Sequence, residues 1–318
     1  VHEKDVNKKL KRLMKRILKF FIESLAVVLI IYGVFSAGGY LKAKKDAKNQ
    51  ETTQQAENNQ NKEQKLEEKK KLDTIELDKA MKNIISQYKA NNEIGIVYKN
   101  FSTGYRFSED DERYFAAAST IKVVYAMKIY DRINAGEIRK DDDIKYDPKY
   151  LEEGGGEITN QEKKDSYKLD YVIQNMIQYS DNTATKMLIG NTATATDILV
   201  KYFAKLGITL PPAEAEKNRI TPKMMEAVWT KLYNERDKYQ DLIKYLEASS
   251  DNEWIKQGIP DKKIASKYGG IDANMHDTAI VFGNQDYMLL IYTNNLKNSA
   301  KGIIDISREI NQLTENNM

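Results

Sequence analysis

The sequence predicts an α+β fold in which one antiparallel sheet of five strands is built from both ends of a globular domain, beside a largely helical part. Two strand-like runs lie near the start of residues 72–318, a long stretch of helical periodicity follows, and three more strand-like runs precede a closing helix. Pairing between the two groups of strands would join both ends of one domain. We therefore expect a single folded domain over 72–318.

The predicted elements follow from two kinds of periodicity. Apolar residues that recur every three or four positions indicate helices, and short β-branched or aromatic runs bounded by turn residues indicate strands. A Ser-Thr-Gly turn predicts that the first two strands form a hairpin. In chain order the elements are a helix over 75–88, strands over 93–99 and 105–108, a largely helical stretch over 120–246, strands over 262–267, 278–282 and 287–292, and a helix over 299–313.

Ahead of the domain, residues 20–41 are apolar apart from Glu23 and follow a tail, 1–19, that carries eight Lys and Arg residues. These 22 residues would form a helix of about 33 Å, enough to cross a hydrocarbon layer of about 30 Å. The segment is predicted to be a transmembrane anchor, with the basic tail in the cytoplasm and the domain outside it. A cleaved signal peptide is the alternative, because the small residues 36–39 would suit a peptidase.

The linker between this span and the domain, residues 42–71, is rich in Lys, Glu, Gln and Asn and lacks Trp, Tyr, Phe, Ile and Val. A segment of this low complexity has no apolar face to bury, so we expect a solvated tether. As a coil, it would span on the order of 30 Å. The domain would then stand clear of the membrane surface.

The composition excludes several classes of function. Fifty basic and 47 acidic residues leave a net charge of +3, which is too small to indicate nucleic-acid binding. The chain has no cysteine, which removes disulfides, thiolate metal sites and a cysteine nucleophile. With only His2 and His276 present, neither a histidine metal site nor a Ser-His-Asp triad is supported. We expect no cofactor and no metal.

Three short motifs combine serine and lysine in a way that suits nucleophilic catalysis. The first opens a predicted helix after three alanines, the second follows an apolar helix over 171–179, and the third ends a predicted strand. Each motif alone fits a helix cap, a capping turn or a solvated lysine. Together and in this order, they predict a serine acyl-transfer site. They are Ser119-Thr120-Ile121-Lys122, Ser180-Asp181-Asn182 and Lys267-Tyr268-Gly269, the last followed by Gly270.

The residue types and spacing support this chemistry. Lys122 lies three positions after Ser119 and shares its helix face, within reach of the hydroxyl. A serine hydroxyl is a weak nucleophile that needs an adjacent base, and a lysine held away from bulk water loses its proton easily enough to act as one. Ser180 would pass a proton to the leaving group, Lys267 would keep the site positive, and Asp181 would brace the loop.

The motifs resemble those of the penicillin-recognising serine enzymes, and specifically of class A β-lactamases. The interval of 61 residues from Ser119 to Ser180 is similar to that family's. The resemblance covers roughly residues 72–318 and implies a β-lactamase-like fold. Three further short runs also resemble the family, namely Thr183-Ala184 after the second motif, Thr221-Pro222 and Gly258-Ile259-Pro260.

The resemblance also implies substrate-binding roles. Asn182 would bind the substrate's amide, and the backbone N–H groups of Ser119 and Gly270 would form the oxyanion hole. Tyr268 and Gly269 belong to the same substrate-binding strand. The acyl donor would be a peptidoglycan peptide or a small acyl compound, and β-lactams would be covalent ligands.

The connection between Gly207 and Thr221 departs from the class A pattern. It has only thirteen residues and lacks the Glu-x-x-Leu-Asn run that supplies the deacylating glutamate. Glu214 and Glu216 lie in this connection and are the candidates for a replacement base. Without one, release of a bound acyl group would be slow.

The third motif departs from the pattern as well. Tyr268 stands where the family has a Thr or Ser that meets the substrate's carboxylate. His276 and Asp277 stand where many relatives keep an arginine for the same carboxylate. An aspartate at that position would repel an anionic substrate.

The expected function is that of an extracytoplasmic serine acyl-enzyme hydrolase or transferase of the β-lactamase and penicillin-binding type. It would act on a cell-wall peptide or ester and release β-lactams slowly or not at all. A genuine class A β-lactamase with a non-standard deacylating base is one alternative. A catalytically silent cell-wall-binding module on the same fold is another.

Overall fold

Two units make up the chain, Val1–Asp73 and Thr74–Met318. The computed structural model describes residues 14–17, 19–34, 36, 74–89, 92–250 and 253–317. The proposed linker over 42–71 and most of the basic tail lie outside these ranges.

The described part of the first unit is one apolar helix, Met14–Val34, of 21 residues. It begins six residues before the expected span, and residues 35 and 37–41 of that span lie outside the described ranges. None of the residues in its most apolar stretch is buried. A helix of this length and composition fits a membrane span and equally a signal sequence near the N-terminus.

The second unit contains eleven α-helices, three short 3-10 turns and nine strands within its described residues. The strands are β1 (Glu93–Asn100), β2 (Arg106–Glu109), β3 (Phe115–Ala116), β4 (Asp143–Lys145), β5 (Ser166–Lys168), β6 (Arg219–Ile220), β7 (Lys263–Ile271), β8 (Asn274–Phe282) and β9 (Tyr287–Asn294). The helices are α1 (74–86), α2 (Lys122–Asn134), α3 (Glu157–Asn160), α4 (Leu169–Gln178), α5 (Asn182–Ile189), α6 (Thr192–Lys205), α7 (Pro212–Glu216), α8 (Pro222–Asn234), α9 (Gln240–Glu247), α10 (Trp254–Gly258) and α11 (Ser299–Asn316).

The main sheet is antiparallel, with the strand order β2-β1-β9-β8-β7. The hairpin β1–β2 comes from the start of the unit and the meander β7–β8–β9 from its end, and β1 pairs with β9 along its whole length. The expectation of a five-stranded antiparallel sheet built from both ends is therefore confirmed. Two small pairs, β3–β6 and β4–β5, interrupt the helical stretch. Strands of two or three residues carry no detectable periodicity, so the sequence did not predict them.

Apolar side chains cover both faces of the sheet. Along β9, Met288 and Leu290 join one core cluster while Leu289 and Ile291 join the other, because successive side chains of a strand point to opposite faces. Helices α1, α10 and α11 supply the second cluster, whereas α2, α4, α6, α8 and α9 supply the first. Each such buried side chain stabilises the fold by about 1.5 to 3 kcal/mol. The helical part and the sheet are thereby held together around the three motifs.

The strand that carries the third motif is longer than expected. The sequence placed its end at Lys267, but β7 continues to Ile271, with Gly269 opposite His276 in the ladder with β8. Glycine lowers strand propensity, which is why the pattern stopped early. The third motif therefore lies within a rigid paired strand and not at its end.

Candidate active site

Ser119 lies in a single 3-10 turn, Ala118–Ile121, that leads directly into α2. The turn is entered through Ala118, whose φ of 48° is left-handed and costs a non-glycine residue about 1 to 2 kcal/mol. Two buried hydrogen bonds hold the turn, from Thr120 Oγ1 to Ala117 O at 2.7 Å and from Tyr292 Oη to Thr120 Oγ1 at 3.1 Å. Among the described residues the Ser119 hydroxyl has no hydrogen-bond partner, so it is available to an incoming group.

His276 holds the segment just before Ser119 and takes no part in a triad. Its buried ring donates from Nε2 to Ala116 O at 2.7 Å and accepts at Nδ1 from the Thr293 N–H at 3.1 Å. Burial lowers its pKa to about 4, so the ring is neutral. Because both nitrogens are bonded to backbone, His276 cannot serve Ser119 as a base.

Lys122 joins the first motif to the second. Its ammonium donates to Ser180 O at 2.7 Å, to Asn182 Oδ1 at 2.8 Å and to Ser180 Oγ at 3.3 Å. The residue is 4% exposed, and burial, followed by repulsion from Lys267, lowers its pKa to about 7. Lys122 is therefore a group that can hold or release a proton at neutral pH.

The second motif is fixed by Asp181, in the bracing role that the sequence predicted. Asp181 caps α5 by accepting from the Ala184 N–H at 2.8 Å. It also accepts from the Thr159 N–H at 2.9 Å and from the Thr159 hydroxyl at 2.8 Å. Ser180 has a left-handed φ of 56°, a strained geometry that these bonds maintain.

Sequence reasoning missed three consecutive glycines, 154–156, that pack against the second motif. A Cβ atom on Gly156 would overlap the side chain of Asp181, and one on Gly154 would lie 2.6 Å from Asn182 Nδ2. Both glycines also have a positive φ, which is 94° at Gly156 and 149° at Gly154. The run of three glycines was the available signal for this close approach.

We expect Gly156→Ala to lower the free energy of unfolding by about 3 kcal/mol or more, since it combines backbone strain with a clash against Asp181. Gly136→Ala is the matched control, because Gly136 has a similar φ of 73° but open space around it. The control should cost only about 1 to 2 kcal/mol. Denaturant unfolding of the full chain in detergent measures both, and equal losses would contradict the proposed packing.

The third motif brings a second buried lysine to the site. Lys267 has no exposed surface, donates to Tyr268 O at 3.2 Å and lies 4.6 Å from the centre of the Tyr268 ring. Burial lowers its pKa to about 8, against the attraction of Glu253 and Asp277. Repulsion from Lys267 also contributes to the lowered pKa of Lys122.

Gly269, and not Gly270, makes the close approach to Ser119. A Cβ atom on Gly269 would lie 2.7 Å from Ser119 N and 3.0 Å from Thr120 N, whereas one on Gly270 would meet the side chain of Met275. The family resemblance assigns the Gly270 N–H to the oxyanion hole, but the residue that packs directly against the Ser119 turn is Gly269. Only glycine lets β7 lie this close to the Ser119 turn.

Tyr268 is partly exposed and packs edge-on against Trp254, with ring centres 5.8 Å apart. Asp277 lies opposite it in the ladder but is fully buried, accepting from the Ile255 N–H at 2.8 Å and the Thr278 N–H at 2.9 Å. Burial and the charge of Glu253 raise the pKa of Asp277 to about 8. The expectation that Asp277 repels an anionic substrate is therefore wrong, because its carboxyl points inward to backbone N–H groups and its burial favours the neutral form.

The short connection forms α7 and places an asparagine beside the segment that leads to Ser119. Asn218 O accepts from the Ala117 N–H at 2.7 Å, and Asn218 Nδ2 donates to Ala118 O at 3.4 Å. Glu214 instead pairs with Arg219 at 3.4 Å, and Glu216 is exposed. The hydrogen bonds of this connection therefore tie Asn218, and neither glutamate, to the Ser119 segment. Asn218 is a further residue that sequence reasoning missed.

Within residues 74–89, 92–250 and 253–317, no group of three or more His, Asp or Glu side chains is arranged to hold a metal ion.

Comparison with solved structures defines the class of fold. PBP-A is 22% identical, with a TM-score of 0.67 over 75% of this chain and 96% of that chain. A mutant of PBP-A in an acyl-enzyme complex with penicillin G is 22% identical, with a TM-score of 0.66 over 75% and 97%. A β-lactamase from Sphaerobacter thermophilus is 20% identical, with a TM-score of 0.66 over 74% and 97%. The second unit therefore has the β-lactamase fold.

The model of the β-lactamase enzyme family matches residues 76–314. The chain belongs to this family. It is a serine hydrolase of the β-lactamase and penicillin-binding type.

Proposed function

We propose that the protein is an extracytoplasmic serine acyl-enzyme hydrolase or transferase that carries its acyl group on Ser119. The observation that carries this proposal is the placement of Lys122, a buried lysine with a pKa of about 7 that is hydrogen-bonded to Ser180 and Asn182. A base poised near the working pH is the most effective one for proton transfer. The acyl donor is a cell-wall peptide, an ester or a related small acyl compound, and β-lactams are covalent ligands.

Acylation proceeds through successive proton transfers among Ser119, Lys122 and Ser180. Neutral Lys122 takes the proton of the Ser119 hydroxyl as the oxygen attacks the acyl carbon. The bond to the leaving nitrogen or oxygen then breaks, and that atom takes a proton from the Ser180 hydroxyl, which Lys122 replenishes. The products are an ester on Ser119 and the protonated leaving group, with Lys122 again neutral. The Lys267 ammonium stabilises the negative charge that develops.

The close approach of β7 supports an oxyanion hole at Ser119. The Ser119 N–H begins a turn that leads into α2, and Gly269 lets the strand reach it. Backbone N–H groups at Ser119 and Gly270 would bind the developing oxyanion, and loss of one such donor typically costs about 3 to 4 kcal/mol.

Slow release of the acyl group follows from the connection that precedes α8. In class A enzymes a glutamate of this connection activates the deacylating water, but here Glu214 is engaged with Arg219. Asn218 is the residue beside the Ser119 segment, and an amide cannot act as a general base. We infer that this protein is a poor β-lactamase.

The rim of the site favours acyl donors without a carboxylate. Tyr179 directly precedes Ser180, Tyr268 follows Lys267, and Ile271 ends β7, and all three expose apolar surface. A tyrosine at 268 also replaces the small hydroxyl that would meet a carboxylate.

The deciding experiment is intact-mass spectrometry of the full chain in detergent, incubated with a fluorescent penicillin and separately with a neutral thioester. We expect one acyl group per chain, located on Ser119 by peptide mapping, with faster labelling by the thioester. A folded chain that forms no adduct with either compound would support the silent binding module. Rapid turnover of the penicillin would support a genuine β-lactamase.

The topology proposal rests on the apolar helix Met14–Val34 and the basic residues before and within its start. The N-terminus would be cytoplasmic, the helix a single-pass anchor and the hydrolase domain extracytoplasmic. Protease added to intact cells should then digest the domain and leave a short N-terminal fragment protected. A domain that stays intact until lysis would reverse the orientation, and a mature chain that begins near residue 39 would show cleavage.

A further inference from the structure

A cluster of buried ionisable side chains lies behind the third motif. Glu253 immediately precedes α10 and is 4% exposed, and Asp277 on β8 has no exposed surface. Lys256 on α10 is 8% exposed, and Lys267 on β7 is fully buried. Of these four residues, only Lys267 has a role in the proposed mechanism. Buried charges persist in proteins when partners compensate them, so the arrangement of the two acids matters for the lysine.

Glu253 is fixed through one of its two carboxylate oxygens. Oε2 accepts from Ser249 Oγ at 2.8 Å and from Ser266 Oγ at 2.5 Å, and Ser266 is the residue before Lys267. Lys256 supports this contact by donating to Ser249 Oγ at 2.8 Å. The other oxygen, Oε1, is buried and has no hydrogen-bond partner among the described residues.

Lys267 has no direct counter-ion in the described part of the chain. Its one hydrogen bond goes to a backbone carbonyl, that of Tyr268. Asp277 is committed elsewhere, because its two oxygens accept from the N–H groups of Ile255 and Thr278. Glu253 therefore presents the only carboxylate oxygen of the cluster that is not bonded.

We propose that Glu253 is a positioning residue that keeps Lys267 protonated and thereby decides which of the two active-site lysines releases its proton. This inference rests on the proposed function, in which neutral Lys122 is the base and charged Lys267 stabilises the developing negative charge. Glu253 does not touch the substrate and acts through Lys267.

The charges around Lys267 agree with this division of roles. The charged groups that influence it are Glu253, Asp277 and Lys256, and Lys267 in turn acts on Lys122. Burial and the charge of Glu253 raise the pKa of Asp277, so Asp277 favours its neutral form. Burial also raises the pKa of Glu253, but the charge of Lys267 and the hydroxyls of Ser266 and Ser249 oppose that effect and favour its charged form. Glu253 provides the largest attraction that opposes the effect of burial on the pKa of Lys267.

The first test is direct titration of the lysines by NMR, with the full chain in detergent micelles and lysine labelled with ¹³C at Cε. The signal of Lys267 is assigned by its loss in Lys267→Arg. In Glu253→Gln we expect the pKa of Lys267 to fall by about one unit, which is at the low end of the effect of a nearby charge. The fall is small because Asp277 ionises more readily once residue 253 is neutral, and its charge then partly replaces that of Glu253. An unchanged titration of Lys267 would overturn the proposal.

Two further variants make the result specific. Glu247→Gln is the matched control, since Glu247 is a neighbouring acid paired with Lys263 at 2.9 Å, and it should leave Lys267 unchanged. Ser266→Ala removes one of the two hydroxyls that hold Glu253 ionised and should lower the pKa of Lys267 in the same direction. If Glu253→Gln does not fold, Ser266→Ala provides the test in its place. An unchanged pKa of Lys267 in Ser266→Ala would then contradict the proposal.

Acylation kinetics provide the second readout. The rate of adduct formation should fall at high pH as Lys267 loses its proton, and this alkaline limb should move down by about one unit in Glu253→Gln. A merely structural role would lower the rate equally at all pH values. Absence of any adduct in the wild-type chain would overturn the proposed function, while the NMR titration would still decide the role of Glu253.

Discussion

Replacement of Lys122 by alanine is expected to slow acylation of Ser119 by a factor of about 10² to 10⁴, and Ser119→Ala is expected to abolish the adduct. The reason is that Ser119 has no other evident base, since the nitrogens of His276 are both bonded to backbone groups. The rate of adduct formation, followed by intact-mass spectrometry, measures both effects.

The pH dependence adds a signature of its own. Lys122 acts as a base only when neutral, so acylation should rise with pH up to its pKa of about 7. It should fall again as Lys267 loses its proton near its pKa of about 8. In Lys122→Ala the rise on the acid side should disappear.

Lys128→Ala is the matched control for Lys122→Ala, because Lys128 lies on the same helix and has no part in the site. It should leave the acylation rate unchanged. Wild-type acylation in Lys122→Ala would show that another group activates Ser119.

A penicillin adduct, once formed on Ser119, is expected to persist for minutes to hours. Loss of a general base typically forfeits a factor of about 10² to 10⁴ in rate, or about 3 to 5 kcal/mol at 1.36 kcal/mol for each factor of ten. The structure supplies the reason, because Glu214 is paired with Arg219, and the hydrogen bonds from this connection to the residues just before Ser119 come from Asn218 and from the β3–β6 pairing, not from either glutamate. The mass of the labelled chain, followed after removal of free penicillin, measures this persistence.

Glu214→Ala and Glu216→Ala test the alternative of a replacement base. If neither glutamate activates water, both variants should lose the adduct as slowly as the wild type. Rapid hydrolysis of a chromogenic cephalosporin by the wild-type chain, abolished by one of the two substitutions, would identify that glutamate as the base and the protein as a genuine β-lactamase.

The sequence by itself determined the fold class and the order of the three motifs. Apolar periodicity identified the strands of the main sheet and the closing helix, because a strand or helix that buries one face must repeat apolar residues along the chain. The motifs could be recognised from the sequence because each lies in a short continuous run, such as Ser119 to Lys122. The absence of cysteine and the scarcity of histidine likewise narrowed the candidate chemistry to serine and lysine.

Only the tertiary structure decided how the residues of different runs meet. Gly156 lies against Asp181, and Gly269 against Ser119, although nothing in the local pattern relates these positions. Asp277 was placed facing the substrate from its position in the sequence, but its side chain turns inward to backbone N–H groups.

The electrostatics of the site were likewise decided by the fold. The pKa of Lys122 is low because packing removes it from water and brings Lys267 near it. Glu253 has no sequence signal, since it follows α9 in a polar segment that resembles an exposed loop. Burial and proximity arise from contacts between distant segments, and one sequence read alone does not contain those distances.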